Sequence, residues 1–325
     1  DLAWTGGGGS PTLLRVLILN TLAPVFLMIG VGALLQRSGF VSPDFLKEAN
    51  RLTYWVGLPA LLFVELARSF HQVDGARLML GTMFAATLAV IVVALGVARA
   101  LRVPAAATGT FLQGAFRGNL AFVGLPILYS LPDTVVVGGL SLRTTAIVTL
   151  APMMVLYNLA GVSVLLLSQH TVGWRMVMPF LKQLATTPPL LATIAGCGVA
   201  LAGWTLPAAL DKTLGPLGEM ALPLGLLGVG GSIVALKLGD GWRSPLAAAL
   251  VKTAVSPALG WVVGRWLGLG AAELRLVMIF MATPTAIVSY PMALELKGDG
   301  PLASGTIVLS VIASMVSLAV ILACF

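Results

Sequence analysis

Few side chains in this sequence can do chemistry, and most of them fall in two short stretches. The first is Arg117-Gly118-Asn119-Leu120-Ala121-Phe122-Val123-Gly124-Leu125-Pro126, which sets a guanidinium and an amide among glycines and a proline. The second is Ala282-Thr283-Pro284-Thr285-Ala286-Ile287-Val288-Ser289-Tyr290-Pro291, which sets hydroxyls between two prolines. Arg117 carries a full charge and can hold a carboxylate through two parallel hydrogen bonds. Asn119 donates and accepts at once, and Gly118 lets backbone approach closely. A helix restarting after Asn119 exposes free N–H groups and the positive end of its dipole, which suits an anion. Thr283, Pro284, Thr285 and Ser289 are the candidates from the second stretch. The chemistry this combination offers is binding of a small organic anion.

Other reactive groups are sparse. Tyr157 and Asn158 are adjacent polar residues deep in an apolar run and are expected to face the same cavity. Lys252 lies too far inside its apolar run for its ammonium to reach the surface easily, and Glu65 and Glu219 are the carboxylates that can pair with it. Lys252 and Glu65 are therefore candidates for gating or ion coupling. Cys197 and Cys324 both lie in apolar stretches, which excludes a disulfide framework. His71 and His170 sit singly at the ends of runs, and no metal or cofactor site is expected. The chain has no His-Glu-x-x-His, no Gly-x-Ser-x-Gly turn and no paired intramembrane aspartates, so it does not read as an enzyme.

The elements that position these residues follow from composition. The chain is 58% hydrophobic and 10% charged, with a mean hydropathy of +1.01. A water-soluble domain carries about 25% charged residues. This chain is an integral membrane protein, and the lipid bilayer is its first partner. The net charge of +7 is assigned to cytoplasmic loops and anionic headgroups, with no nucleic-acid partner. Residues 1–10, rich in glycine, read as an appended flexible linker, and no cleavable signal peptide is evident in the first apolar run.

Ten apolar runs follow, near 13–35, 46–67, 77–98, 104–131, 139–168, 179–203, 208–236, 244–267, 273–296 and 302–324. Each is long enough to cross a ~30 Å hydrocarbon core as a helix. The fourth and ninth contain the two reactive stretches, whose glycines and prolines forbid one regular helix. Simple proline kinks are the alternative, but the polar residues gathered at both places argue for true interruptions. Non-helical backbone at that depth must be buried in protein or line a wet cavity.

The two halves also resemble one another. At an offset of 164 positions Pro24, Gly32, Pro43 and Pro59 fall on Pro188, Gly196, Pro207 and Pro223. At an offset of 165 the two reactive stretches align, with Ala, Val and Pro coinciding at three of ten positions. With five runs per half, the copies enter the membrane in opposite senses, so the expected fold is all-α: ten transmembrane helices as two inverted five-helix repeats, 11–170 and 171–325, with broken crossing helices 4 and 9. Alternate loops carry ten basic residues on one side and seven on the other, which places both termini outside the cell membrane.

The first stretch, from Phe116 to Pro126, resembles the fourth-helix signature of the auxin efflux carrier family, and Ala282-Thr283-Pro284-Thr285-Ala286 with Ser289-Tyr290 resembles its ninth. Leu58-Pro59-Ala60-Leu61-Leu62-Phe63, Leu222-Pro223, Lys252 with Pro257, and Ala293-Leu294-Glu295 agree, so the resemblance spans about 13–325. It implies a secondary transporter of small organic anions such as carboxylates. It also implies an elevator mechanism, with helices 1, 2, 6 and 7 as a scaffold that forms a homodimer. Asn119 with its neighbours, Pro284 with its threonines, and Tyr157 with Asn158 are carried over as site residues on that resemblance. Plant auxin carriers have a double-asparagine proline motif where this chain has Gly118-Asn119-Leu120, and many have a long central loop where this chain is short. Both departures favour a bacterial-type carrier. The alternative is a sodium-coupled organic-anion symporter of bile-acid-carrier architecture, with sodium held by carbonyls and hydroxyls at the breaks.

Overall fold

A computed structural model describes residues 11–69, 77–131, 136–137, 140–169, 188–235 and 241–324. Residues 1–10, His71, His170 and the junction between the two halves lie outside the described residues. Helix makes up most of the described part of each apolar run. The first half contains α1 (Pro11–Arg37), α2 (Pro43–Leu52), α3 (Leu58–Ser69), α4 (Arg77–Ala100), α5 (Ala105–Phe116), α6 (Leu125–Tyr129) and α7 (Leu142–Ser168). The second half contains α8 (Pro188–Leu201), α9 (Ala208–Glu219), α10 (Ala221–Ala235), α11 (Arg243–Leu250), α12 (Ser256–Trp266), α13 (Ala271–Ala282), α14 (Ser289–Glu295) and α15 (Gly300–Cys324). The exceptions to helix are small: a two-residue antiparallel pair, Val136–Val137 with Leu140–Ser141, and one isolated bridge at the site.

Six stretches among the described residues are long and apolar enough to cross a membrane: Asn20–Arg37, Arg77–Ala100, Leu142–Ser168, Ala208–Gly231, Arg243–Trp266 and Gly300–Cys324. The protein is therefore membrane-embedded. Its outer surface agrees, because large apolar side chains such as Val92, Val316 and Trp266 are exposed. Phe111, Phe116, Phe280, Met79 and Met83 are fully buried.

Prolines set the local irregularities. One-turn π widenings occur at Thr53–Gly57, Leu120–Gly124 and Val251–Val255, and Pro59, Pro126 and Pro257 each lie two residues beyond. A proline ring crowds the carbonyl four residues back, here that of Trp55, Phe122 and Thr253, each at the centre of its π turn. Adding a residue to the turn relieves that clash without ending the helix. In the second half, Pro223 instead follows a break at Met220 between α9 and α10.

Close helix crossings rest on glycine. α1 lies along α10, and a Cβ on Gly32 would stand 2.1 Å from the Leu227 carbonyl oxygen. α3 lies along α8, and a Cβ on Gly196 would stand 2.8 Å from the Phe63 carbonyl oxygen. α4 packs on α12, α12 on α13, and α5 on both α4 and α7. The result is two groups of helices that face each other across a cavity.

Candidate functional site

Both expected interruptions are present, and they are paired with each other. α5 stops at Phe116, and Arg117 turns to extended backbone (φ −80, ψ 99). α13 stops at Ala282, and Thr283 does the same (φ −56, ψ 148). The Asn119 N–H donates to the Pro284 carbonyl at 2.8 Å, and the Ala286 N–H donates to the Arg117 carbonyl at 2.9 Å. These bonds make an antiparallel bridge centred on Gly118 and Thr285. Backbone freed from a helix in a dry interior must find new partners, and here each break supplies them for the other. Proline suits position 284 because that residue only has to accept.

Side chains lock the crossing from behind. The Thr285 hydroxyl donates to the Gly114 carbonyl at 2.7 Å, and the Thr285 N–H donates to the Ser310 hydroxyl at 2.9 Å. The Thr283 hydroxyl donates to the Phe280 carbonyl at 2.7 Å. Asn119 caps the restarted helix, its Oδ1 accepting from the Phe122 N–H at 3.3 Å. Gly118 is wedged between the Thr283 hydroxyl and the stem of Lys252. The Lys252 ammonium donates to the carbonyl of Met281, at the negative end of α13.

In front of the crossing lies a cavity of about 650 Å³ that reaches the surface at Glu48 and Arg51. Arg117, Gly118, Asn119, Tyr157 and Asn158 line it. Thr283, Pro284, Thr285 and Ser289 do not line it, and the second break contributes Ala286, Ile287, Val288 and Met292. The far wall comes from α2 and the π turn after it, through Asn50, Tyr54 and Trp55, and from Val229 on α10.

Arg117 is 5% exposed, and its partners are neutral. Nη2 donates to Asn158 Oδ1 at 2.6 Å, and Nη1 donates to the Met292 thioether at 3.0 Å. Among the described residues, the ion pairs are Glu48–Arg51 at 3.9 Å and Arg68–Asp211, both on the surface. Lys252 therefore pairs with neither Glu65 nor Glu219, the partners anticipated for it. It lies in the π turn behind Gly118, from where its ammonium reaches a carbonyl left free by the end of α13. Glu65, on α3, lies within reach of the charges of Arg68 and Arg143.

Several buried polar atoms at the site have no partner among the described residues: Asn119 Nδ2, Gln113 Oε1 and the Ser289 hydroxyl. Gln113, Gly161 and Met292 are functional candidates that sequence reasoning passed over. Gln113 Nε2 donates to the Met292 thioether at 2.9 Å. A Cβ on Gly161 would stand 3.0 Å from Gln113 Nε2 and 3.2 Å from Arg117 Nη1. Gln113 had a signal, because it is polar and lies one helical turn before Arg117. Met292 and Gly161 had none, since each resembles its apolar neighbours.

An interrupted helix pair around a cavity with a cation in its wall is the anatomy of a transporter. The profile of a family described as "Membrane transport protein" matches residues 17–322. The chain belongs to this family. It is the auxin efflux carrier family whose helix-break signatures the sequence resembles. The carrier is similar to an uncharacterised transporter of Methanocaldococcus jannaschii, with 21% identity over 307 residues, 91% of this chain and 94% of that one.

Proposed function

We propose that this carrier is a secondary active transporter, an efflux carrier or exchanger, of small organic anions such as carboxylates. The observation that carries this reading is Arg117: a buried guanidinium in the cavity wall whose partners are an amide oxygen and a thioether. An intramembrane cation without a counter-charge is costly, and an anion entering from the cavity supplies that charge. Asn119, Tyr157 and Asn158 complete the binding wall, while Thr283, Pro284 and Thr285 hold the crossing behind it.

The packing supports ten spans in two inverted repeats, 11–170 and 171–325. Gly32 on Leu227 and Gly196 on Phe63 are images of each other, since 164 positions separate Gly32 from Gly196 and Phe63 from Leu227. A two-fold relation between halves produces such an exchange of partners. A Cβ on Gly57 would stand 3.0 Å from the Cβ of Ala221, its own image at the same offset. Asn119 bonds Pro284, its image at 165. An elevator movement is supported by the walls of the cavity. One wall is α2 with α10, and the other is the pair of breaks with α7. In this scheme α1–α3 and α8–α10 form the scaffold and the homodimer contact, and the remaining helices carry Arg117 across. With both termini outside, the cavity opens at the α1–α2 turn toward the cytoplasm.

Sodium coupling is the less favoured reading. The carbonyls at the crossing that would hold sodium already have partners: Phe280 takes Thr283, Gly114 takes Thr285, and Met281 takes the Lys252 ammonium. Counterflow in proteoliposomes, with a panel of mono- and dicarboxylates and with sodium present or replaced, tests both readings. Carboxylate exchange is expected without sodium, and Arg117→Ala is expected to abolish it. Exchange that survives Arg117→Ala refutes the anion site, and exchange that requires sodium refutes the coupling assignment.

A further inference from the structure

Two donors, one on α5 and one just past its end, converge on a single poor acceptor at the edge of the cavity. Gln113 Nε2 lies 2.9 Å and Arg117 Nη1 3.0 Å from the Met292 sulfur. A thioether is a weak acceptor, so a charged donor and a buried amide are left under-satisfied by it. Gln113 is 0% exposed, and its Oε1 has no partner among the described residues, so no further bond on that side fixes the amide. Met292 lines the cavity and Gln113 does not, so the thioether stands between this donor and the cavity. Gly161 keeps the corner free of side chain beside both donors. Met292 is unbranched and adapts its rotamer cheaply.

We infer that Gln113 is a second anion-holding donor beside Arg117, and that the Met292 thioether is a placeholder which a carboxylate oxygen of the substrate displaces. The inference rests on the anion-carrier reading above. An oxygen at the position of the sulfur accepts from Gln113 Nε2 and Arg117 Nη1 together, while the second oxygen competes for Nη2, now on Asn158. Met292 belongs to α14, beyond the second break, so its displacement couples binding at the first break to the position of the other. The empty site keeps its donors partly satisfied, and the filled site gains the difference between a thioether and a charged oxygen.

The test uses the full chain in lipid nanodiscs, with binding of acetate, benzoate, malonate and succinate measured by calorimetry, and thermal stability measured in parallel. Met292→Leu keeps the volume and removes the acceptor, and is expected to tighten binding about five-fold. Met292→Gln supplies a strong acceptor, and is expected to raise stability and weaken binding by about as much. Gln113→Leu is expected to weaken binding and to cancel the gain of Met292→Leu when the two are combined. If Met292→Leu weakens binding, if both Met292 variants move affinity in one direction, or if Gln113→Leu leaves it unchanged, the placeholder is wrong while the anion site stands. If the wild type binds none of the four anions, or Arg117→Ala binds them as the wild type does, the anion reading fails and this inference with it.

Discussion

Replacing Gly118 with alanine tests the crossing at its tightest point. A Cβ there would lie 2.5 Å from the Thr283 hydroxyl oxygen, 3.1 Å from Lys252 Cε and 3.3 Å from Leu120 Cδ2. The first distance is well inside van der Waals contact. Thr283 cannot turn away freely, because its hydroxyl is held by the Phe280 carbonyl at 2.7 Å and the residue is fully buried. Overpacking of this kind costs about 1–3 kcal/mol. Thr283→Ala alone gives up one buried hydrogen bond, about 1 kcal/mol. The double variant removes the atom that the new methyl strikes, so its cost is expected to fall short of the sum by about 1 kcal/mol or more. Unfolding by dodecyl sulfate in mixed micelles measures all three. Additivity within about 0.5 kcal/mol would show that the two residues do not meet, and the paired-break geometry would be wrong.

Two further outcomes follow from the same structure. Lys252→Met keeps the length of the stem and removes a buried charge whose only recorded partner among the described residues is the Met281 carbonyl. Unfolding free energy is expected to stay within about 1 kcal/mol. Counterflow is expected to fall about ten-fold, because the ammonium no longer tethers α13 to the π turn behind Gly118. A large stability loss with unchanged counterflow would make the residue purely structural. Asp299→Ala removes the cap of α15, where Oδ1 accepts from the Leu302 N–H at 2.8 Å. It should cost about 1 kcal/mol in the same unfolding assay, and Asp299→Asn should restore most of it.

Much of the fold was legible because the bilayer imposes one-dimensional rules on sequence. Apolar runs, separated by charged or glycine-rich loops, marked where helices lie, and helix occupies most of their described parts. The breaks were legible for the same reason: glycine and proline around Arg117 and around Pro284 leave backbone groups that a regular helix cannot satisfy. The prolines at 59, 126 and 257 were visible too, yet their effect was not. Each widened a turn into π geometry without ending the helix, an outcome that depends on whether neighbours can absorb an extra residue.

Side-chain direction at the site was decided by the third dimension. The hydroxyls of Thr283 and Thr285 read as substrate contacts, since polar groups at a break have few other uses in a sequence. The structure commits Thr283 to the Phe280 carbonyl at the end of its own helix, and Thr285 to the Gly114 carbonyl that the facing break brings within reach. The second break instead offers the cavity Met292, which sequence cannot tell from a lipid-facing methionine. Lys252 shows the same limit: its depth was readable, but a carbonyl satisfied it where a carboxylate was expected.

The sequence by itself determined that this protein lives in the membrane, where its helices break, and that a single arginine stands at one break. Those are consequences of hydropathy, of backbone donors missing at proline, and of the cost of a charge in lipid. Only the tertiary structure decided that the two breaks hydrogen-bond to each other, that the threonines face inward to carbonyls, and that Gln113 and Met292 share the arginine's corner. Each of these depends on which groups from distant parts of the chain come within about 3 Å, the reach of a hydrogen bond, and no spacing along the chain records that.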